Sequence, residues 1–316
     1  MTANFTIQYL PNYLIDKPKW DACIDKADNG LIYAYSYYLD NMSMHWDALI
    51  LDDYEIVMPL TWNKKYGIYY LYQPFLTAQL GVFGKNINAE ILLTFINSIP
   101  EKFKYADIFL NSENVYAIPD FTIYQRNNFV LDLHKPYTEI FDAYRDNIKR
   151  NIQKAFKQNC VVKKNIPVEE VIRLAKNQMQ HFYKNADQGF ENFSKLFQLL
   201  HAKNKAISYG IVSANHELLA SAVFFFSHNR AYYILVGNHP NARPNGSSGR
   251  RKTTGASHAL IDAFVKDHAG KNIWLDFEGS DIRNLAFFYS SFGAVEEKYA
   301  ALQLNRLPWY INWIKN

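Results

Sequence analysis

Lys252-Thr253-Thr254-Gly255-Ala256-Ser257 leads into an apolar-periodic segment, and the strand-like run Asn272-Ile273-Trp274-Leu275-Asp276-Phe277-Glu278 follows it. A second helical pattern closes the block on Phe288-Tyr289-Ser290-Ser291-Phe292-Gly293-Ala294. Leu260, Ile261, Phe264 and Val265 recur at helical spacing, which predicts a helix from about Ala256 to His268 with one buried face. Its first turn offers free amides and the positive end of the helix dipole close to several cations. That combination favours a phosphate or pyrophosphate. Small residues at 255–257 would let a ligand approach the backbone, whereas the plainer reading is a solvated loop whose Ser257 caps the helix.

The elements on either side extend this block into an ordered pattern. Upstream, Val168 to Phe182 and Phe190 to Leu200 have helical period, and Ile207–Val212, Leu218–Phe226 and Ala231–Val236 read as strands. Downstream, a helix over about 282–291 and a strand over 298–304 complete the order α-α-β-β-β-loop-α-β-α-β. The N-terminal half reads similarly. Strands are expected over 46–51, 55–62 and 67–72, then a loop over 73–88, a helix over 89–99, and strands over 107–110 and 122–133. The repeat is one of pattern, without sequence identity between the halves. A basic seam at 135–164 separates them, predicting domains over 1–135 and 136–316.

The two loops differ in charge. Residues 237–254 carry Arg243, Arg250, Arg251 and Lys252 with Gly246 and Gly249, whereas residues 73–83 carry no charge at all. If one half binds a phosphorylated donor, it is the second, and the first is better suited to packing or to holding an acceptor. The helix over about 140–158 places Arg145, Lys149, Arg150, Lys154 and Lys157 at three- and four-residue intervals. It reads as a solvated connector, or as a surface for nucleic acid, a phosphorylated acceptor or an anionic membrane.

With 316 residues and 49% hydrophobic side chains the chain has material for two cores, and the charged share of 20% excludes a disordered composition. The net charge of +4 fits an anionic ligand but does not argue for nucleic acid. Cys23 and Cys160 lie far apart without metal-ligand spacing, which predicts a reduced protein with no structural metal. Met1-Thr2-Ala3-Asn4-Phe5 lacks the pattern of a signal peptide, and no apolar run reaches the ~18 residues of a membrane span. A cytoplasmic location is expected.

Lys252-x-x-Gly255-x-Ser257 before a helix, with Tyr289 four residues ahead of Gly293, resembles the cofactor loop and the Tyr-x-x-x-Gly segment of the GNAT acyltransferase superfamily. Lysine stands where that loop has arginine or glutamine, and serine where it has glycine or alanine. The basic segment 145–155, Phe277-Glu278-Gly279-Ser280 and Phe288-x-x-x-Phe292-Gly293 are similar to segments of its duplicated branch. That branch contains the FemABX peptidyltransferases and the BioF2-like (CelD-type) acetyltransferases. The resemblance covers about 140–295 and implies an α/β (α+β) fold of two tandem GNAT-like domains. Each would be a mixed, mostly antiparallel sheet flanked by helices. It implies transfer of an acyl group from an acyl-CoA such as acetyl-CoA to a small-molecule or peptide amine.

Under that resemblance the donor would meet Leu235, Val236 and Gly237, and then Arg250, Arg251, Lys252, Thr253, Thr254, Gly255, Ala256 and Ser257. Glu278, with Asp276 as second choice on the same strand face, would take the amine's proton, and Tyr289 would protonate the departing thiolate. Glu278 as a turn-stabilising residue and Tyr289 as a core ring are the alternatives. Trp46, Tyr72, Gln73 and His239 are the expected acceptor contacts. FemABX enzymes usually carry a lysine where Tyr289 stands, and some have a helical arm for tRNA, so an aminoacyl-tRNA donor is the weaker implication. A fold retained for binding alone is the third.

Overall fold

The computed structural model describes residues 6–117, 121–179, 187–240, 254–279 and 281–308. In chain order the elements are β1 (Ile7–Leu10), α1 (Lys17–Lys26), α2 (Ser36–Met42), β2 (His45–Leu51), β3 (Ile56–Lys65), β4 (Ile68–Tyr72), β5 (Phe83–Gly84), α3 (Ala89–Asn97), β6 (Phe103–Phe109) and β7 (Thr122–Asp132). There follow α4 (Tyr137–Asp142), α5 (Asp146–Lys157), β8 (Val161–Lys164), α6 (Val168–Met179), α7 (Asp187–Ala202), β9 (Ala206–Val212), β10 (Leu218–Ser227), β11 (Arg230–Asn238), α8 (Ala256–His268), β12 (Trp274–Asp276), α9 (Arg283–Ser290) and β13 (Val295–Asn305). Backbone proximity divides them into one unit of residues 1–127 with 297–316 and another of 128–296.

The first unit is a sheet in the order β1-β2-β3-β4-β6-β13, with β5 on β3. Every pairing is antiparallel except β4 with β6. Its core joins Leu49, Met58, Leu60 and Phe103 of the strands to Leu92, Phe95 and Ile96 of α3. Asn88 starts α3 by accepting the Ile91 N–H, so the apolar residues behind it enter in helical register. β13 was expected in the C-terminal domain but lies here, with Ala301 opposite Phe109. The period reading also left out β1, α1 and α2. In α1, only Trp20, Cys23 and Ile24 are buried among charged residues, too few to mark a face.

The second unit is a sheet in the order β7-β12-β11-β10-β9-β8, in which β11 with β12 forms the parallel pair. One face carries α5 and α8, and the other carries α6 and α7. Phe264 of α8 stacks on Phe224 with ring centroids 3.7 Å apart, and Tyr209 and His268 close around it. A β-bulge falls in the middle of β11. Tyr233 pairs with Phe224 and Leu235 with Val223, which leaves Ile234 as the extra residue.

Two glycines in this unit are explained by helix packing. Gly255, at φ +75°, precedes α8 where a side-chain carbon would overlap the Asn151 carbonyl oxygen of α5. Gly237 lies under α6, 2.8 Å from the Ala175 nitrogen measured from an added Cβ. The close approach expected of a ligand at Gly255 is made by a neighbouring helix backbone instead. Gly255→Ala adds both a left-handed strain and a backbone clash, so stability in urea is expected to fall by about 2 kcal/mol or more.

Candidate functional site

The parallel pair β11–β12 is short and then parts. Its ladder ends at Tyr232 opposite Asp276, while β11 runs on to Asn238. Beyond Tyr232, among the described residues, β11 has β10 on one side and no strand on the other. A strand edge with unpaired backbone groups accepts an extended amide-bearing ligand by the same hydrogen bonds that build a sheet. The edge faces this opening with the bulge at its mouth.

Asp276 ends the ladder as a clamp. Its buried carboxylate accepts from Arg230 Nη1 at 2.8 Å, from Asn128 Nδ2 at 2.9 Å and from the Glu278 N–H at 2.8 Å. These bonds tie β11, β7 and the turn after β12 at one point. Asp276 alternates with Leu275 and Phe277, which both enter the core that contains Tyr233 and Tyr289. The carboxylate therefore lies on the face away from those phenols. Sequence alternation had placed Glu278 on the Asp276 face, but β12 ends at Asp276 and Glu278 adopts φ +62°. A non-glycine residue held in the left-handed region has its side chain redirected, and such strain concentrates at functional sites.

The redirected Glu278 is half-buried and close enough to Tyr289 to act on it electrostatically. Burial first, and then the Glu278 carboxylate, raise the Tyr289 pKa above the usual phenol value. Tyr289 stacks on Phe277 with centroids 4.4 Å apart and an interplanar angle of 17°. Tyr233 meets Phe277 edge-on at 5.9 Å, and its pKa is raised by burial and then by Tyr289. Tyr233, Phe277, Glu278 and Tyr289 thus meet where the parallel strands part. Tyr233 was not singled out from the sequence. The signal for it was the run Ala231-Tyr232-Tyr233-Ile234, but only the bulge shows which of the two tyrosines faces α8 and α9.

The start of α8 is joined to this mouth. Ser257 Oγ donates to Asn238 Oδ1 at 2.6 Å, and the Asn238 N–H donates to Gln178 Oε1 at 3.1 Å. Asn238, also not foreseen, thereby links β11 to both α6 and α8. Ser257 does not cap the helix: Gly255 is the N-cap residue, and Thr254 Oγ1 accepts the Ala256 N–H at 3.3 Å. Ala256 is buried. Of the other expected donor contacts, Leu235 is buried, Val236 is half-buried, and Gly237 is covered by α6. Arg250, Arg251, Lys252 and Thr253 lie outside the described residues, as do Arg243, Gly246, Gly249 and Ser280.

His258, in the same turn, reaches Asn151 Nδ2 of α5 through Nε2 at 3.3 Å, and its enclosed Nδ1 meets no partner among the described residues. Burial pushes its pKa down to about 4. His239 is engaged elsewhere, with Nε2 3.0 Å from Glu217 and its N–H on the Leu219 carbonyl.

The equivalent slot in the first unit is filled. Past the Tyr72–Asp107 pair of β4 and β6, the Phe109 N–H donates to Gln73 Oε1 at 3.0 Å, and the Phe109 carbonyl accepts from the Leu80 N–H at 2.8 Å. Asn29, Asn111 and Asn114 then hold Val82 through its backbone groups. Gln73 is therefore a brace of this plug, with Nε2 on the Thr77 carbonyl, and not an open acceptor contact. Trp46 is buried against Trp20 with its Nε1 on Asp40, while the Tyr72 hydroxyl accepts the Met44 N–H.

Among the described residues, no group of three or more His, Cys, Asp or Glu is placed to hold a metal ion, and no helix is long and apolar enough to cross a membrane. Cys23 and Cys160 are buried and not joined in a disulfide.

Two measurements check this geometry. Asp276→Ala leaves the Arg230 guanidinium, at 20% exposure, without its carboxylate and should cost about 3 kcal/mol in urea unfolding. His258 stays neutral in the folded protein while the unfolded chain protonates near pH 6.5, so the unfolded state binds more protons between pH 6.5 and about 4. Its share of stability is whole above pH 6.5 and falls on acidification, by about 3 kcal/mol at the low end. His258→Phe should flatten the fall of the urea midpoint over that window.

No protein-family model and no curated protein matches the sequence. Solved structures do match. FemX superposes with a TM-score of 0.65 at 12% identity, over 98% of this chain and 100% of FemX. A conserved protein of unknown function from Bacteroides thetaiotaomicron VPI-5482 gives 0.58 at 13%, over 94% and 99% of the two chains. L-PGS from Bacillus licheniformis gives 0.50 at 10%, over 85% and 87%. At these identities the likeness is one of architecture: the chain shares the fold of FemX along nearly its whole length.

Proposed function

We propose that the chain is an N-acyltransferase that moves an acyl group from a thioester, most simply an acyl-CoA, to an amine by direct attack. One observation carries this: the parallel strands β11 and β12 part at a bulge, with Tyr233, Phe277, Glu278 and Tyr289 at the opening. The strandless edge of β11 between Tyr233 and Gly237 would take the amide-bearing arm of the donor. Its phosphates would meet the loop over 250–257, and the start of α8 is held to the mouth by Ser257 and Asn238.

Glu278, or a water it holds, accepts a proton from the attacking amine. Tyr289 gives its proton to the departing thiolate. The two steps reinforce each other, since the Glu278 charge is one of the groups that raise the Tyr289 pKa. Once Glu278 is protonated that charge is gone, and the phenol releases its proton more readily. Asp276, held by Arg230 and Asn128, keeps the turn that aims Glu278.

The fold shared with FemX over the whole chain favours a second reading, in which an aminoacyl-tRNA supplies the acyl group. Thermal-shift and calorimetric titrations with acetyl-CoA, longer acyl-CoAs and charged tRNA separate the two. The expected result is stabilisation by an acyl-CoA and thiol release in the presence of an amine. No response to any CoA species removes the lead reading, a response to charged tRNA alone replaces it with the second, and CoA binding without thiol release across a broad amine panel leaves a non-catalytic binding protein. Tyr289→Phe and Glu278→Gln should each lower kcat about a hundredfold with little change in melting temperature.

A further inference from the structure

The first unit contains an open pocket of about 490 Å³ where the end of β1, the turn after it, the end of α2 and the starts of β2 and β6 come together. Its volume falls within the roughly 300–1,000 Å³ of small-molecule sites. None of the machinery proposed above lies in it. The pocket sits by the N-terminal end of the parallel pair β4–β6, where Lys102 precedes Phe103 and Trp62 pairs with Leu71.

Three buried polar atoms without a hydrogen-bond partner belong to residues that line this one pocket: Asn12 Nδ2, Ser43 Oγ and Trp62 Nε1. They come from three separate elements of the chain. A buried donor left unpaired keeps its full desolvation penalty, so such atoms are uncommon, and three beside one pocket mark a missing partner. Two of the three are N–H donors and the third is a hydroxyl, so the partner brings acceptor oxygens.

The charges around them cancel. Asp47 is buried and accepts from the Tyr9 hydroxyl and from the Asn12 N–H at 3.1 Å, and Lys102 lies 3.5 Å from it. Asp40 is paired with Lys17 at 2.8 Å. Lys102 donates to the Tyr9 hydroxyl and lies 4.6 Å over the Tyr9 ring, so the place of an ammonium among these rings is taken by the chain's own lysine. A free cation is thereby disfavoured, and the carboxylates disfavour an anion. Flat surfaces remain: His45 stacks on Trp62 with centroids 4.4 Å apart, and Tyr13 at the rim is 82% exposed.

We infer that this pocket binds an uncharged, hydroxyl-rich ring of the saccharide class. Its C–H face lies on the aromatic rings, and its hydroxyl oxygens accept from Asn12, Ser43 and Trp62. The orphaned atoms are shut off from water in this state, so binding moves the rim side chains Tyr13 and Met44, both exposed, to admit the ring.

The test is a saturation-transfer NMR and tryptophan-fluorescence titration of the full chain with neutral mono- and disaccharides at millimolar concentration. Inorganic phosphate and tetramethylammonium serve as the competing chemistries. The expected result is saturable binding of at least one saccharide and of neither ion. Tyr13→Ala changes an exposed ring and Trp62→Phe removes only the indole donor and part of the surface, so both variants should keep the native melting temperature and weaken binding about tenfold. No saccharide binding at these concentrations, binding that both variants retain in full, or a preference for phosphate or tetramethylammonium would overturn the assignment. Thiol-release activity is read separately, so loss of the acyltransferase reading leaves this result standing.

Discussion

The Asp276 carboxylate is removed from water and held by an arginine, an asparagine and a backbone amide. A buried charge is tolerated only with such a full set of partners, and here the partners come from β7, β11 and the turn after β12. The clamp therefore sets where the parallel ladder stops. Below it β11 and β12 are joined, and above it β11 continues alone beside β10. The third bond, to the Glu278 N–H, holds the chain in the left-handed turn that takes Glu278 out of the strand. The end of the ladder and the turn at Glu278 thus share one buried carboxylate.

Both units contain a parallel pair that ends early, and they treat the gap differently. In the first, the uncharged loop after β4 turns back and satisfies both backbone groups of Phe109, and three asparagines hold Val82. The backbone groups of Phe109 and Val82 there have their partners within the unit and are taken before a ligand's amides could reach them. In the second, β11 has no strand on this side beyond Tyr232 among the described residues, and its last N–H, of Asn238, goes to Gln178. The uncharged loop that is visible in the sequence thus packs into its slot. A loop without charges can enter a core at little desolvation cost.

Much of the site was legible in residue order. The helix over Ala256–His268, the three strands before it and the helix containing Tyr289 follow from apolar spacing alone. Gly255 was read as room for a ligand, whereas the α5 backbone occupies the space beside it. A close helix approach and a close ligand approach place the same demand on a residue, so the letter G cannot distinguish them. Tyr233 and Asn238 were missed because their roles depend on a bulge and on a helix–strand bond.

Element type and order are local properties, set by side-chain period and turn chemistry within a dozen residues, and they could be read directly from the chain. Three matters needed the folded molecule. The closing strand β13 joins β6 rather than its sequence neighbours, because strand pairing is satisfied by any complementary edge within reach. Asp276 and Glu278, two apart in a run that looks like one strand, part company because a left-handed residue ends the alternation. Trp46 and Gln73 became a core ring and a plug brace once other segments reached their polar atoms. The pairing of β13 with β6 and the bracing of Phe109 by Gln73 join segments far apart in sequence, where neither periodicity nor motif spacing carries information.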